Sequence, residues 1–103
     1  MELKIFWTDK AKNDLKVIYS YFFNLASKKV AKSITKKIVE RTFDLKSNPN
    51  LGAIEESLMH RKFSYRSIID GNYKIIYFVD NYNIFISTVF DCRQNPIKLT
   101  NIN

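Results

Sequence analysis

Hydrophobic and polar positions change period twice along this chain. Leu3, Ile5 and Trp7 alternate with Lys4 and Phe6, the period of two that predicts a short first strand. Ala11, Leu15, Ile18, Phe22 and Leu25 then recur at steps of four and three, the apolar stripe of an amphipathic helix, which Val17 and Tyr21 widen. Thr8 is placed to cap this helix and Asp9 to sit in its electropositive first turn. Asn24 to Ser27 reads as a tight connection, with Ser27 the cap of a second helix running to about Ser47. Ala31, Ile34, Ile38 and Leu45 mark the inner face of that helix, while Lys28, Lys29, Lys32, Lys36 and Lys37 load the opposite side. Asn48-Pro49-Asn50 ends it, because proline lacks a donor and steers its predecessor out of helical geometry.

From Leu51 to His60 the pattern is weak: Gly52 implies a turn, Glu55-Glu56 is polar, and Leu58-Met59 reads as a loop anchor. Period two returns at Phe63, Tyr65, Ser67 and Ile69, and again at Tyr73, Ile75, Tyr77 and Val79, with Asp70-Gly71-Asn72 as a hairpin signal between them. Asp80-Asn81-Tyr82-Asn83 makes a second turn into a strand from Ile84 to Phe90. These last two strands are apolar on both faces, which predicts central positions with the helices covering one side. The expectation is one α+β domain over residues 1–103, a two-helix hairpin packed on a small, mostly antiparallel sheet in the order β-α-α-β-β-β.

Composition fits that reading and narrows the function. A chain of 103 residues with 46% hydrophobic and 15% aromatic content supports one core. Its formal charge of +7 points to an anionic partner, nucleic acid or an acidic protein, with salt-sensitive association. Cys92 is the only cysteine, so no intrachain disulfide forms, and no thiolate or imidazole spacing suggests a metal or other cofactor. The N-terminus turns polar at Thr8-Asp9-Lys10, too early for a signal peptide, and no run approaches a membrane span, so a cytoplasmic protein without a membrane partner is expected.

Strand interiors rarely hold Lys or Arg unless the charge reaches solvent or a partner, so Arg66, Lys74 and the Arg93 that follows the last strand are the candidate functional cations. Taken with the Trp7-Thr8-Asp9-Lys10-Ala11 helix entry, Leu45-Lys46-Ser47-Asn48-Pro49 followed by Gly52, Tyr73-Lys74-Ile75-Ile76-Tyr77 and Arg93-Gln94-Asn95-Pro96, this order resembles the RelE/ParE family of bacterial toxins over nearly the whole chain. The resemblance implies the toxic half of a type II toxin–antitoxin pair, neutralised by a cognate antitoxin that lies across the helices and sheet. It also offers two activities: RelE-like members cut messenger RNA in the ribosome, and ParE-like members poison DNA gyrase.

An RNA cleavage that uses neither histidine nor metal needs several cations converging on one phosphate. By resemblance, RelE-like members take them from lysines on the strand before the hairpin, arginines on the next strand and after the last one, and a C-terminal tyrosine. Here Lys74 stands at the first arginine's place and Arg93 at the second, Tyr65 and Ser67 occupy the lysine positions, and no tyrosine follows Pro96. The expectation is therefore a ParE-like gyrase inhibitor with Arg66, Lys74, Arg93 and Gln94 toward its target. A ribosome-dependent endoribonuclease using Arg66, Lys74 and Arg93 on messenger RNA, and a plain basic nucleic-acid-binding domain, are the alternatives. Blander roles stand beside these: Arg93 paired with Asp91, Arg66 with Asp70 or the Glu55-Glu56 loop, His60 as a solvated loop residue rather than a general base, Trp7 as a core anchor, and Cys92 as a buried or half-buried filler.

Overall fold

Thr8 ties the N-terminal part of the chain to the last strand. In the computed structural model, which describes residues 3–93, it lies between strand β1 (Lys4–Trp7) and helix α1 (Asp9–Leu25). Its hydroxyl oxygen accepts from the Ala11 N–H at 3.2 Å, which caps α1, and lies 3.0 Å from the carbonyls of Ile86 and Ser87 as a donor. A cap of this kind contributes about 1 kcal/mol. Ser27 caps helix α2 (Lys28–Thr42) in the same way through the Val30 N–H.

The second helix is shorter than its stripe suggests. After Thr42 the winding tightens to a 3-10 turn over Phe43–Lys46, which still carries Leu45 into the core. On α1, Val17 and Tyr21 do not widen the buried stripe but are 60% and 51% exposed. Val17 precedes the buried Ile18 by one residue, about 100° round the helix, enough to turn it away from the sheet.

The rest of the chain forms β2 (Ala53–Ile54), β3 (Arg66–Asp70), β4 (Tyr73–Asp80) and β5 (Asn83–Asp91). The sheet order is β1-β5-β4-β3-β2, with β1 parallel to β5 and every other pair antiparallel. This is the expected α+β architecture, with β2, a strand too short to show a period, added at one edge.

Strands β4 and β5 are central, as their two apolar faces require. Ile75, Tyr77, Ile84 and Ile86 face the helices and pack with Ile18, Ile38 and Leu45, while Ile76 joins Leu58 and Tyr65 on the other side. Each fully buried aliphatic side chain of this kind contributes about 1.5–3 kcal/mol. Leu58 anchors its loop as expected; Met59 is exposed.

Where β1 ends, a side chain takes over its pairing role. The parallel register stops at Trp7 opposite Ile86, and beyond it the Asp14 carboxylate of α1 accepts from the Val89 N–H at 3.0 Å and the Thr88 hydroxyl at 2.5 Å. Lys10 bonds the same carboxylate at 2.6 Å. Helix and sheet are thus tied by a group whose role no period in the sequence reveals.

The turn after β4 carries strain. Asn81 and Tyr82 have φ of 49° and 67°, the left-handed pair of a two-residue hairpin, and an L side chain as bulky as tyrosine disfavours that region. Tyr82→Gly is expected to stabilise the fold by up to about 1 kcal/mol, a rise of several degrees in melting temperature. An unchanged or lower midpoint in thermal unfolding would show that the Tyr82 ring contributes as much as its backbone costs.

Candidate functional site

The three candidate cations stand at three different places on the sheet. In the β3–β4 register Arg66 faces Tyr77, Ile68 faces Ile75, and Ile69 faces Lys74. Because side chains alternate, Arg66 lies with Tyr77 on the helix side and Lys74 lies with Ile69 and Phe90 on the other. Arg93 follows β5 beside Asp91, which is registered with Tyr73, four residues along β4 from the partner of Arg66 and hence about 13 Å away. Gln94 lies outside the described residues.

Each cation is held by a different group. Arg66 bonds neither Asp70 nor the acidic loop; it donates through Nη1 to the Gly52 carbonyl at 2.8 Å. It thereby braces a buried knot in which the Tyr77 hydroxyl donates to the Pro49 carbonyl at 2.7 Å and accepts from the Gly52 N–H at 2.9 Å. Burial raises the Tyr77 hydroxyl above its ordinary pKa, against the opposing pull of the Gly52 N–H and the Arg66 charge.

Lys74 meets Glu55 at 3.0 Å. The carboxylate also accepts from Ser57 at 2.9 Å and Ser67 at 3.2 Å, so its lone pairs are well used. Burial works to raise the Glu55 pKa, but hydrogen bonds from Lys74 and Ser57, the Lys74 charge and the Ser67 hydroxyl bring it below its ordinary value of 4.5. A carboxylate depressed in the folded state stabilises it above the unfolded pKa, and that stabilisation is lost as pH falls through the folded value. Glu55→Gln should therefore flatten the loss of stability below about pH 4.5, measured as denaturation midpoint against pH. An acid limb as steep as that of the parent would assign the loss to other carboxylates.

Arg93 is exposed and bidentate: Nε and Nη2 donate to the two Asp91 oxygens at 2.9 and 2.7 Å. The pairing raises the pKa of the guanidinium and, chiefly through the Arg93 hydrogen bond, lowers that of the carboxylate. Burial, helped by the Asp91 charge, raises the Tyr73 hydroxyl above its ordinary pKa, and the Arg93 charge opposes that rise. The fork orients Arg93 on Asp91. Asp91 pairs with Arg93 as the sequence suggests, whereas Glu55, a candidate partner for Arg66 by sequence, pairs instead with Lys74.

The side of the sheet away from the helices carries an aromatic row. Phe63, Phe78, Phe85 and Phe6 stack in sequence with ring centroids 4.3, 5.2 and 5.7 Å apart, and Lys62 lies over Phe63 at 5.3 Å. Rings stacked on one another use up their faces, so the row is an apolar ridge rather than a platform for flat nucleobases. His60 is exposed in its loop, Trp7 packs partly buried against the core, and Cys92 is exposed rather than a buried or half-buried filler, since the chain has by then left the sheet for a surface turn.

The fold is thus a helix hairpin covering one face of a mixed five-stranded sheet, with exposed and half-buried cations along its strands. The family model described as ParE toxin of type II toxin-antitoxin system, parDE, matches residues 5–96, and this chain belongs to that family. Among solved structures it is similar to the chromosomal ParDE toxin–antitoxin system of P. aeruginosa, with a TM-score of 0.72 and 23% identity over 87% of this chain and 96% of that one. It is also similar to the RelBE2 toxin–antitoxin complex of Mycobacterium tuberculosis, with a TM-score of 0.62 and 22% identity over 88% of this chain and 99% of that one. At such identities these two likenesses concern the fold. A comparison with curated proteins gives no match.

Proposed function

We propose that this chain is a cytoplasmic ParE-like toxin that inhibits DNA gyrase by binding, is neutralised by a cognate antitoxin, and meets its target through Arg66, Lys74, Arg93 and Gln94. The observation that carries this reading is the dispersal of the cations. Arg66 and Lys74 lie on opposite faces, Arg93 lies at a third place, and each is engaged by a different oxygen. Stabilising a phosphorane requires donors converging within about 3 Å of one group of oxygens. Dispersed cations fit a broad recognition surface better than a phosphoryl-transfer centre.

The stacked aromatic row supports the same choice over a generic nucleic-acid-binding domain, because its rings are turned toward one another. The test pairs a gyrase supercoiling assay using purified protein with primer extension on an abundant transcript after induction in cells. Inhibited supercoiling, intact messenger RNA and rescue of growth by the co-expressed antitoxin are expected. Cleavage of ribosome-bound transcripts with unimpaired supercoiling would overturn the proposal in favour of a RelE-like ribonuclease.

A further inference from the structure

Helix α2 opens with a block of one charge. Lys28, Lys29, Lys32, Lys36 and Lys37 are all exposed, and Glu40, the one acidic residue of the helix, comes only after them. The core side of the helix is Ala31, Ile38 and Thr42. At 100° per residue Lys29, Lys32 and Lys36 lie within about 60° of one another on the side away from it, with Lys28 and Lys37 flanking them. Elsewhere Lys10, Arg41, Lys74 and Arg93 each pair with a carboxylate, whereas among the described residues none of these five lysines does. The block works against the helix that bears it. Lys28 and Lys29 stand in the first turn, where the backbone dipole favours an acidic residue such as the Asp9 of α1, and Lys28, Lys32 and Lys36 are like charges at successive steps of four. A face that lowers helix stability without gaining a contact inside the chain points to a partner that neutralises it.

We infer that this lysine face of α2 binds the phosphate backbone of duplex nucleic acid without reading its sequence. Lysine ammoniums are point charges that meet phosphates singly, and the stretch from Lys28 to Lys37 contains no Arg, Asn or Gln to make bidentate contacts with base edges. It contains no aromatic ring on which the bases of a single strand would stack, and no Trp, Phe or Leu to enter a lipid surface. From Lys28 to Lys36 the row spans about 12 Å at 1.5 Å per residue, the axial rise of about three or four phosphates on one strand. A duplex presents such an unbroken row of anions. This contact is separate from the gyrase reading, which rests on the strand cations, and the duplex is tested without gyrase.

The test follows fluorescence anisotropy of a labelled DNA duplex of about 20 base pairs with the full chain, from about 50 to about 200 mM salt. The logarithm of affinity should fall against the logarithm of salt with a slope of about −3, and a second duplex of unrelated sequence should bind within about twofold. Lys32→Gln/Lys36→Gln should flatten the slope by about two and weaken binding at low salt at least about tenfold, with helix content unchanged by circular dichroism. Lys4→Gln/Lys62→Gln removes the same charge from exposed positions on the other side of the molecule and should leave the slope as it is. An equal loss of slope in both double variants would reduce the effect to net charge and overturn the inference. So would no binding at about 50 mM salt, a preference of more than about tenfold between the two duplexes, or tighter binding of single-stranded RNA or of an acidic peptide.

Discussion

Gly52→Ala is expected to destabilise the protein by about 2–4 kcal/mol, a large share of the stability of a domain this size. A Cβ at that position would lie 2.7 Å from the Ser67 carbonyl oxygen and 2.8 Å from both the ring and the hydroxyl of Tyr77. One neighbour is backbone within the β2–β3 ladder and the other is a fully buried ring on a central strand, so neither can move without disturbing the core. The same shift would break the bond from the Gly52 N–H to Tyr77 and that from Arg66 to the Gly52 carbonyl. Tyr77→Phe separates the two effects. It keeps the space but leaves the Gly52 N–H and the Pro49 carbonyl without their partner, at about 1–3 kcal/mol for each group left buried. Urea unfolding of both variants measures this, and a Gly52→Ala midpoint within error of the parent would show that the loop yields freely.

Arg93→Ala should abolish most of the growth inhibition while leaving the fold intact. The side chain is 52% exposed and pairs with Asp91 two residues away, an exposed ion pair that contributes little to stability. Its function in the proposed reading is different: Asp91 holds the fork in one orientation, and a charge-assisted contact to the target would be worth roughly tenfold or more in affinity. Lys74→Ala is the informative contrast, because it leaves Glu55 as a buried carboxylate without its cation and should reduce stability as well as toxicity. Growth curves under titrated induction, read beside melting temperatures, distinguish the cases. If Arg93→Ala lowers the melting temperature sharply and toxicity follows in proportion, Arg93 is part of the scaffold and the target-binding role falls.

How much of this was legible in the sequence differs between fold and site. Thr8, Ser27 and Pro49, the two apolar stripes and the Gly71 and Asn81-Tyr82 turns fix the existence and order of the main elements, because each acts on backbone within a few residues of itself. The residue types at Arg66, Lys74 and Arg93 were equally plain. Their geometry was not: a shift of one residue in strand register moves a side chain to the opposite face, and only the pairing of Arg66 with Tyr77 sets these two cations apart. The same holds for partners. Glu55 reaches Lys74, Asp14 reaches Val89, and β1 lies beside β5 through contacts between residues far apart in the chain. Local geometry sets the period of an element, and that period is written in its own side chains. Which distant groups meet depends on how the faces pack, and only the tertiary structure decides it.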